Sequence, residues 1–217
     1  MDAGHPLLRT LCEAAAGRPP APNGRVEVVP SPPGPVHAVV GFPFHNVIAA
    51  DVEEALVSAR LPADDPGAPL KAEFLLWLSG WLGAAPGSLD VVLARTDDPP
   101  AEPLELVPRD DLADHPRVRR AARYRDDLRV FTDWSGTGIV TVGRGLAGRW
   151  EVAFEVDHAS RDRGLARQLA AAATTLIPPG EPLFAQVAPA NTASLRAVLA
   201  AGYRPVAAEV LFRKVGG

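Results

Sequence analysis

"WEVAFEVDHASRDRGLARQLAAAATTL" runs from Trp150 to Leu176. Its first seven residues read as a strand, with Val152, Phe154 and Val156 on one side and Glu151, Glu155 and Asp157 on the other. Farther on, Leu165, Leu169, Ala172, Ala173 and Leu176 recur at helical spacing, which predicts a helix packed on a sheet. Between strand and helix lies a charged turn that ends in Gly164. A helix begins with backbone N–H groups that lack intrahelical partners, and its dipole adds to their attraction for an anion. Gly164 has no Cβ to block close approach, and Arg161 and Arg163 add positive charge. The turn is therefore either a diphosphate cradle or an ordinary strand–helix turn with solvated arginines. Two other phosphate motifs are excluded. A P-loop needs Lys-Ser/Thr after its last glycine, where this chain has Leu165-Ala166. A dinucleotide fingerprint needs three glycines, and one is present.

Around this stretch the second half alternates strands, turns and helices. Residues 117–125, "RVRRAARYR", predict a basic helix. Strands follow at 128–134, 139–143 and 149–156, and the glycines of "GTGIVTVGRGLAG" read as hairpin turns. After the helix come a strand at 183–188, a helix at 191–202 and a last strand at 204–213. The first half is punctuated by proline. It predicts a helix from Leu7 to Ala16, a strand at 25–29, one bent strand from Val36 to Asp51, and a helix at 52–60 capped by Asp51. A helix at 70–82 and a strand at 89–94 follow, then the polar, proline-rich linker "RTDDPPAEP". Trp77 and Trp134 read as core residues, and His37 and His45 as core or interface histidines rather than ligands. Two units are expected: an N-terminal α/β lobe, residues 1–100, and a second domain, residues 101–217.

Arg161-Asp162-Arg163-Gly164-Leu165-Ala166 fits Arg/Gln-x-x-Gly-x-Gly/Ala, and "NTASLRAVLAAGY" (191–203) is an Asn-led helix ending in Gly-aromatic before a strand. Together, at this spacing, they resemble the two signatures of the GNAT N-acetyltransferase superfamily. The resemblance covers about the last hundred residues. It implies a mixed, mainly antiparallel twisted sheet flanked by helices, the GNAT-like acyl-CoA N-acyltransferase fold. The N-terminal α/β lobe lies outside the resemblance, and its strand content is compatible with a degenerate copy of that fold.

The resemblance further implies acetyl-CoA as acyl donor, seated where the sheet splays. Its pantetheine arm would lie along Phe154, Val156 and His158. Its pyrophosphate would take the turn formed by Arg161, Arg163, Gly164, Leu165 and Ala166. Asn191 and Ser194 fall where the second helix often contacts the cofactor, although Asn191 serves equally as a helix N-cap. Many relatives carry a base on the first of these strands, which makes Glu155 the first candidate and Glu151 the second. A carboxylate flanked by apolar residues is expected to have a raised pKa. Many relatives also carry a tyrosine where this chain has Val198, so no tyrosine general acid is assigned, and Tyr203 reads as a packing residue. The basic helix at 117–125 reads as a solvated face or a patch for an acidic partner; in the family it often borders the acceptor site.

Composition bounds the rest. Net charge is −4, with 22 basic and 26 acidic residues, which gives no overall sign of a nucleic-acid partner. Residues 1–100 hold 6 basic and 12 acidic side chains and the remainder 16 and 14, so an anion site is expected in the second half. Cys12 is the only cysteine, which excludes an intrachain disulfide and a cysteine-based zinc site and suits a reducing compartment. The histidines lack metal-ligand spacing, so no metal is expected. No signal peptide or membrane span is expected, and the cytoplasm is the expected location. The expected function is acetyl-CoA-dependent N-acetylation of a primary amine on a small molecule or peptide. Its alternative is a non-catalytic acyl-CoA-binding or regulatory module, and a third reading is a scaffold for protein contacts. A homodimer is compatible with each.

Overall fold

The computed structural model describes residues 4–214. Its helices are α1 (Pro6–Ala15), α2 (Glu54–Arg60), α3 (Ala72–Leu82), α4 (Pro116–Ala121), α5 (Leu165–Ala172) and α6 (Thr192–Ala200). Its strands are β1 (Val26–Val29), β2 (Val36–Phe42), β3 (His45–Ala49), β4 (Pro86–Arg95), β5 (Leu106–Pro108), β6 (Asp126–Asp133), β7 (Gly138–Arg144), β8 (Trp150–Val156), β9 (Leu183–Val187) and β10 (Arg204–Arg213). The class is mixed α/β with a mainly antiparallel sheet flanked by helices. The chain divides into two compact units. The first holds the residues up to Val92 with Leu146–Gly148 and the chain from Val206; the second holds Leu93–Gly145 and Arg149–Pro205.

In the first unit β1 runs parallel to β3, while β2 lies antiparallel to both β3 and β10. β2 and β3 are buried at nearly every position, the mark of strands covered on both faces. The single bent strand expected at 36–51 is in fact this hairpin. Phe42 pairs with His45, Pro43 has no N–H to continue a ladder, and Phe44 takes a positive φ of 52° at the tip. Asp51 does not cap α2, whose N-cap is Glu53 with no side-chain bond; the Asp51 carboxylate accepts the Ser31 N–H instead, at 3.4 Å. Phe74 and Leu78 of α3 pack with Val39, Ile48, Val57, Val210 and Phe212 in one core. Trp77 is half-buried between the rings of Phe74 and Trp81, 5.3 and 6.4 Å away. His37 and His45 are buried and bonded to Ser31 Oγ and Asn23 Oδ1.

In the second unit the order is β9-β8-β7-β6-β5. β5 through β8 are antiparallel neighbours, and β8 meets β9 in parallel across the α5 crossover. β5 was not expected: three residues behind a proline-rich stretch carry no alternation to read. α5 ends at Ala172 and tightens into a 3₁₀ turn, Ala173–Leu176. There the Thr174 and Thr175 hydroxyls donate to the carbonyls of Ala171 and Ala172, competing with the helix ladder. Trp134 is not a core residue; it stands 80% exposed on the β6–β7 turn.

The glycines of this region are also not all turn glycines. Gly136 and Gly148 have positive φ, but Gly138, Gly143 and Gly145 do not. They are glycines because neighbours come close. A Cβ on Gly143 would lie 2.8 Å from the Asp126 carbonyl, at the register shift between Asp126 and Arg129. Backbone cannot swing aside as a side-chain tip can. Gly143→Ala is expected to destabilise the fold by about 1–3 kcal/mol, read as a lower urea midpoint at unchanged slope.

Candidate active site

The candidate site lies where β8 and β9 part. Their parallel pairing covers Trp150↔Leu183, Glu151↔Phe184 and Val152↔Ala185 and stops there. On its other edge β8 stays paired with β7 through Val156. The Asp157 N–H donates to the Thr137 carbonyl at 2.9 Å, which turns the odd-numbered main-chain groups of this stretch toward β7. By strand alternation Phe154 and Val156 turn theirs into the gap. The Val156 carbonyl there accepts from Arg161 Nε at 3.3 Å, and Phe154 has no strand partner on that edge among the described residues.

α5 begins at the same end of the gap. Gly164 is its N-cap, with φ 79° in the left-handed region that glycine adopts without strain, and no side chain caps the helix. A Cβ at Gly164 would meet nothing within 4 Å. The first-turn N–H groups, Leu165 and Ala166 among them, have no intrahelical partners, and no side chain caps them. Arg163 is exposed; Arg161 is exposed too, with its Nε on the strand. His158 lies exposed in the 3₁₀ turn His158–Ser160 that links strand to cradle. Asn191 caps α6, its side-chain oxygen accepting the Ser194 N–H at 3.2 Å.

α5 covers the Val152–Phe154–Val156 face of β8. Leu169 comes within 2.6 Å of where a Gly138 Cβ would sit, and Gly138 stands opposite Val156. The opposite face carries the two candidate bases toward α4 and the residues after it. Glu155, half-buried, accepts Arg117 Nε at 3.0 Å. Glu151 is fully buried between two arginines: Oε1 accepts Arg149 Nε at 2.8 Å and Oε2 accepts Arg125 Nε at 2.9 Å. Burial by itself would push the Glu151 carboxyl up. The charges and hydrogen bonds of Arg149 and Arg125 outweigh it and hold the group below the usual carboxylate range. The raised pKa expected on this strand is therefore not what Glu151 has, and a carboxylate clamped by two guanidiniums is a poor proton acceptor. Gly145 makes the clamp possible, since a Cβ there would sit 2.1 Å from the Glu151 carboxyl carbon.

Sequence reasoning did not single out Arg117, Arg125, Arg149 and Gln186. The basic run pointed to the first two but not to their partners. Arg125 Nη2 also donates to Gln186 Oε1 at 3.3 Å, which orients that amide. Gln186 Nε2 is then a buried donor with no hydrogen-bond partner among the described residues. Gln186 follows Ala185, the last residue of β9 that pairs with β8.

Val198 is fully buried. Tyr203 is buried as well, and its hydroxyl donates to the Ala170 carbonyl at 3.0 Å, while burial pushes its phenol up. It ties the end of α6 to α5 and is no proton donor for the site. Tyr203→Phe is expected to lower stability by about 1 kcal/mol in a denaturant titration.

Solved structures similar to this chain include GNAT-family acetyltransferases. One from Colwellia psychrerythraea is 13% identical over 66% of this chain and 63% of its own, with a TM-score of 0.39. A GCN5-related N-acetyltransferase from Sphaerobacter thermophilus is 20% identical over 66% and 56%, with a TM-score of 0.40. A GNAT-family protein from Novosphingobium aromaticivorans is 16% identical over 59% and 65%, with a TM-score of 0.43. This chain thus spans less than two thirds of each of these structures. No protein-family model matches the chain, and no curated protein matches it. Among the described residues no helix is long and apolar enough to cross a membrane, and no group of three or more His, Cys, Asp or Glu residues is arranged to hold a metal ion.

Proposed function

We propose that the second unit is an acetyl-CoA-dependent N-acetyltransferase that acts on a primary amine of a small molecule or peptide in the cytoplasm. The observation that supports this most is the gap itself: β8–β9 pairing ends at Val152, and Phe154 and Val156 turn main-chain groups into the opening. An extended amide-bearing arm can pair with such an edge as a further strand does. The cradle at Gly164 opens at the same end and suits a diphosphate.

Acetyl-CoA supplies the thioester carbonyl. Phe154 and Val156 align the arm, and the first-turn N–H groups of α5 with Arg163 hold the pyrophosphate. Glu155 stands on the face that α5 leaves free and takes a proton from the acceptor ammonium. The neutral amine forms the new N–C bond as the C–S bond breaks, and the proton it then sheds accounts for the thiol released.

Calorimetry tests the reading. Acetyl-CoA is expected to bind the wild-type chain, and Gly164→Glu is expected to abolish binding by bulk and like charge. Retained affinity in that variant sinks the cradle. A second reading, a non-catalytic acyl-CoA-binding module, is favoured by the fully buried Val198 and the committed Tyr203 hydroxyl. It predicts binding without thiol release on any amine.

A further inference from the structure

Glu155 shares its face of β8 with Arg117 of α4. Arg117 spends only its Nε on Glu155. Its two terminal nitrogens have no partner among the described residues, and its side chain is about a third exposed. Residues 115–125 contain five arginines (117, 119, 120, 123 and 125) and no acid. Arg119, Arg120 and Arg123 are exposed, and Arg125 is committed to Glu151 and Gln186. An alkylamine reaches a site at neutral pH mostly as an ammonium ion. Glu155 attracts it, but Arg117, 3.0 Å from Glu155, repels it. One kind of acceptor turns this conflict into recognition: its ammonium goes to Glu155 and an anionic group of its own goes to the free fork of Arg117. Gln186 Nε2, a second unmet donor, is shielded from water. Arg117 is therefore the group that meets the acceptor.

Building on the acetyltransferase reading above, we propose that the acceptor is an amine that also carries an anionic oxygen group, a carboxylate or a phosphate, and that Arg117 binds that group beside Glu155. Planar, forked donors suit both anions. A polyamine or other multiply cationic amine is disfavoured by Arg117, which stands 3.0 Å from Glu155.

The experiment uses the full chain and matched acceptors: phenylalanine against phenethylamine for carboxylate, and O-phosphoethanolamine against ethanolamine for phosphate. Thiol release from acetyl-CoA is followed for each, and calorimetry measures acetyl-CoA binding alongside. The anionic member of at least one pair is expected to have a kcat/KM about 10–100-fold higher, the range of a charge-assisted hydrogen bond. The pair that shows the preference tells carboxylate from phosphate. Arg117→Ala is expected to collapse the ratio mainly through KM while acetyl-CoA still binds, and Arg117→Lys to restore part of it, because charge returns without the fork. A merely structural role for Arg117 would lower both members of a pair alike. The proposal is overturned if the neutral members serve equally well, if no anionic member releases thiol, or if the ratio survives Arg117→Ala. If the wild-type chain does not bind acetyl-CoA at all, the acetyltransferase reading itself has failed; if it binds and no preference exists, only the acceptor assignment has.

Discussion

Glu155→Gln is expected to lower kcat by about 10²–10⁴-fold, the usual range for loss of a general base. The substitution keeps the shape and can still accept from Arg117, but the amide cannot take a proton. Glu155 lies three residues beyond Val152, where the strands part, and on the face that α5 does not cover. The prediction is specific in three respects. Acetyl-CoA affinity measured by calorimetry stays near wild type, because the cradle and the Phe154–Val156 edge are untouched. The deficit shrinks as pH rises, because free amine becomes available without help. Glu151→Gln does not reproduce this pattern in a folded protein. Wild-type kcat at neutral pH, with chemistry shown to be rate-limiting, would remove Glu155 from the mechanism and leave an enzyme that only orients an already neutral amine.

Glu151→Ala is expected to cost about 3–5 kcal/mol of stability, the range for breaking a buried ion pair from one side. Arg149 and Arg125 have side chains 0% and 8% exposed, and each directs its Nε at this carboxylate. Without it, two guanidiniums in a low-dielectric interior lose the carboxylate that both Nε groups address. Arg125 also loses the anchor from which it orients Gln186. The pH dependence has a definite sign. The Glu151 pKa is lowered in the folded state, so its stabilisation is fully present above the ordinary carboxylate value and is lost as pH falls through the folded value. Urea midpoints should therefore fall with acidification below about pH 4.3 in the wild type. In Glu151→Ala this acid-dependent component should be absent. Gly145→Ala should reproduce much of the destabilisation, since its Cβ would occupy the place of the Glu151 carboxyl. Equal stability of wild type and Glu151→Ala at neutral pH would show that the clamp contributes nothing.

What the sequence by itself made legible is what depends on near neighbours along the chain. Trp150–Val156 reads as a strand and the Leu165 helix as its crossover, because periods of two and of three to four residues are local. Gly164 reads as a special position because a residue without a Cβ stands at the mouth of a helix; its positive φ of 79° is what the structure adds. The Asn191 cap is three residues from the N–H it takes. What only the tertiary structure decided lies across longer separations. Glu151 and Glu155 look alike in "WEVAFEV", two acids on one face, yet one is clamped in the interior and the other stands half-open. The difference comes from Arg125 and Arg117, 26 and 38 residues away in the chain. Gln186 acquires its orientation from an arginine 61 residues distant. The splay that opens the site has no residue of its own, since it is the place where two strands of ordinary sequence stop pairing. Gly145 shows the same limit: it reads as a turn, but it is a glycine because a carboxylate six residues later folds back onto it. Propensity, capping and amphipathicity act between residues a few positions apart, whereas burial, ion pairing and strand separation are set by which distant segments the fold brings together.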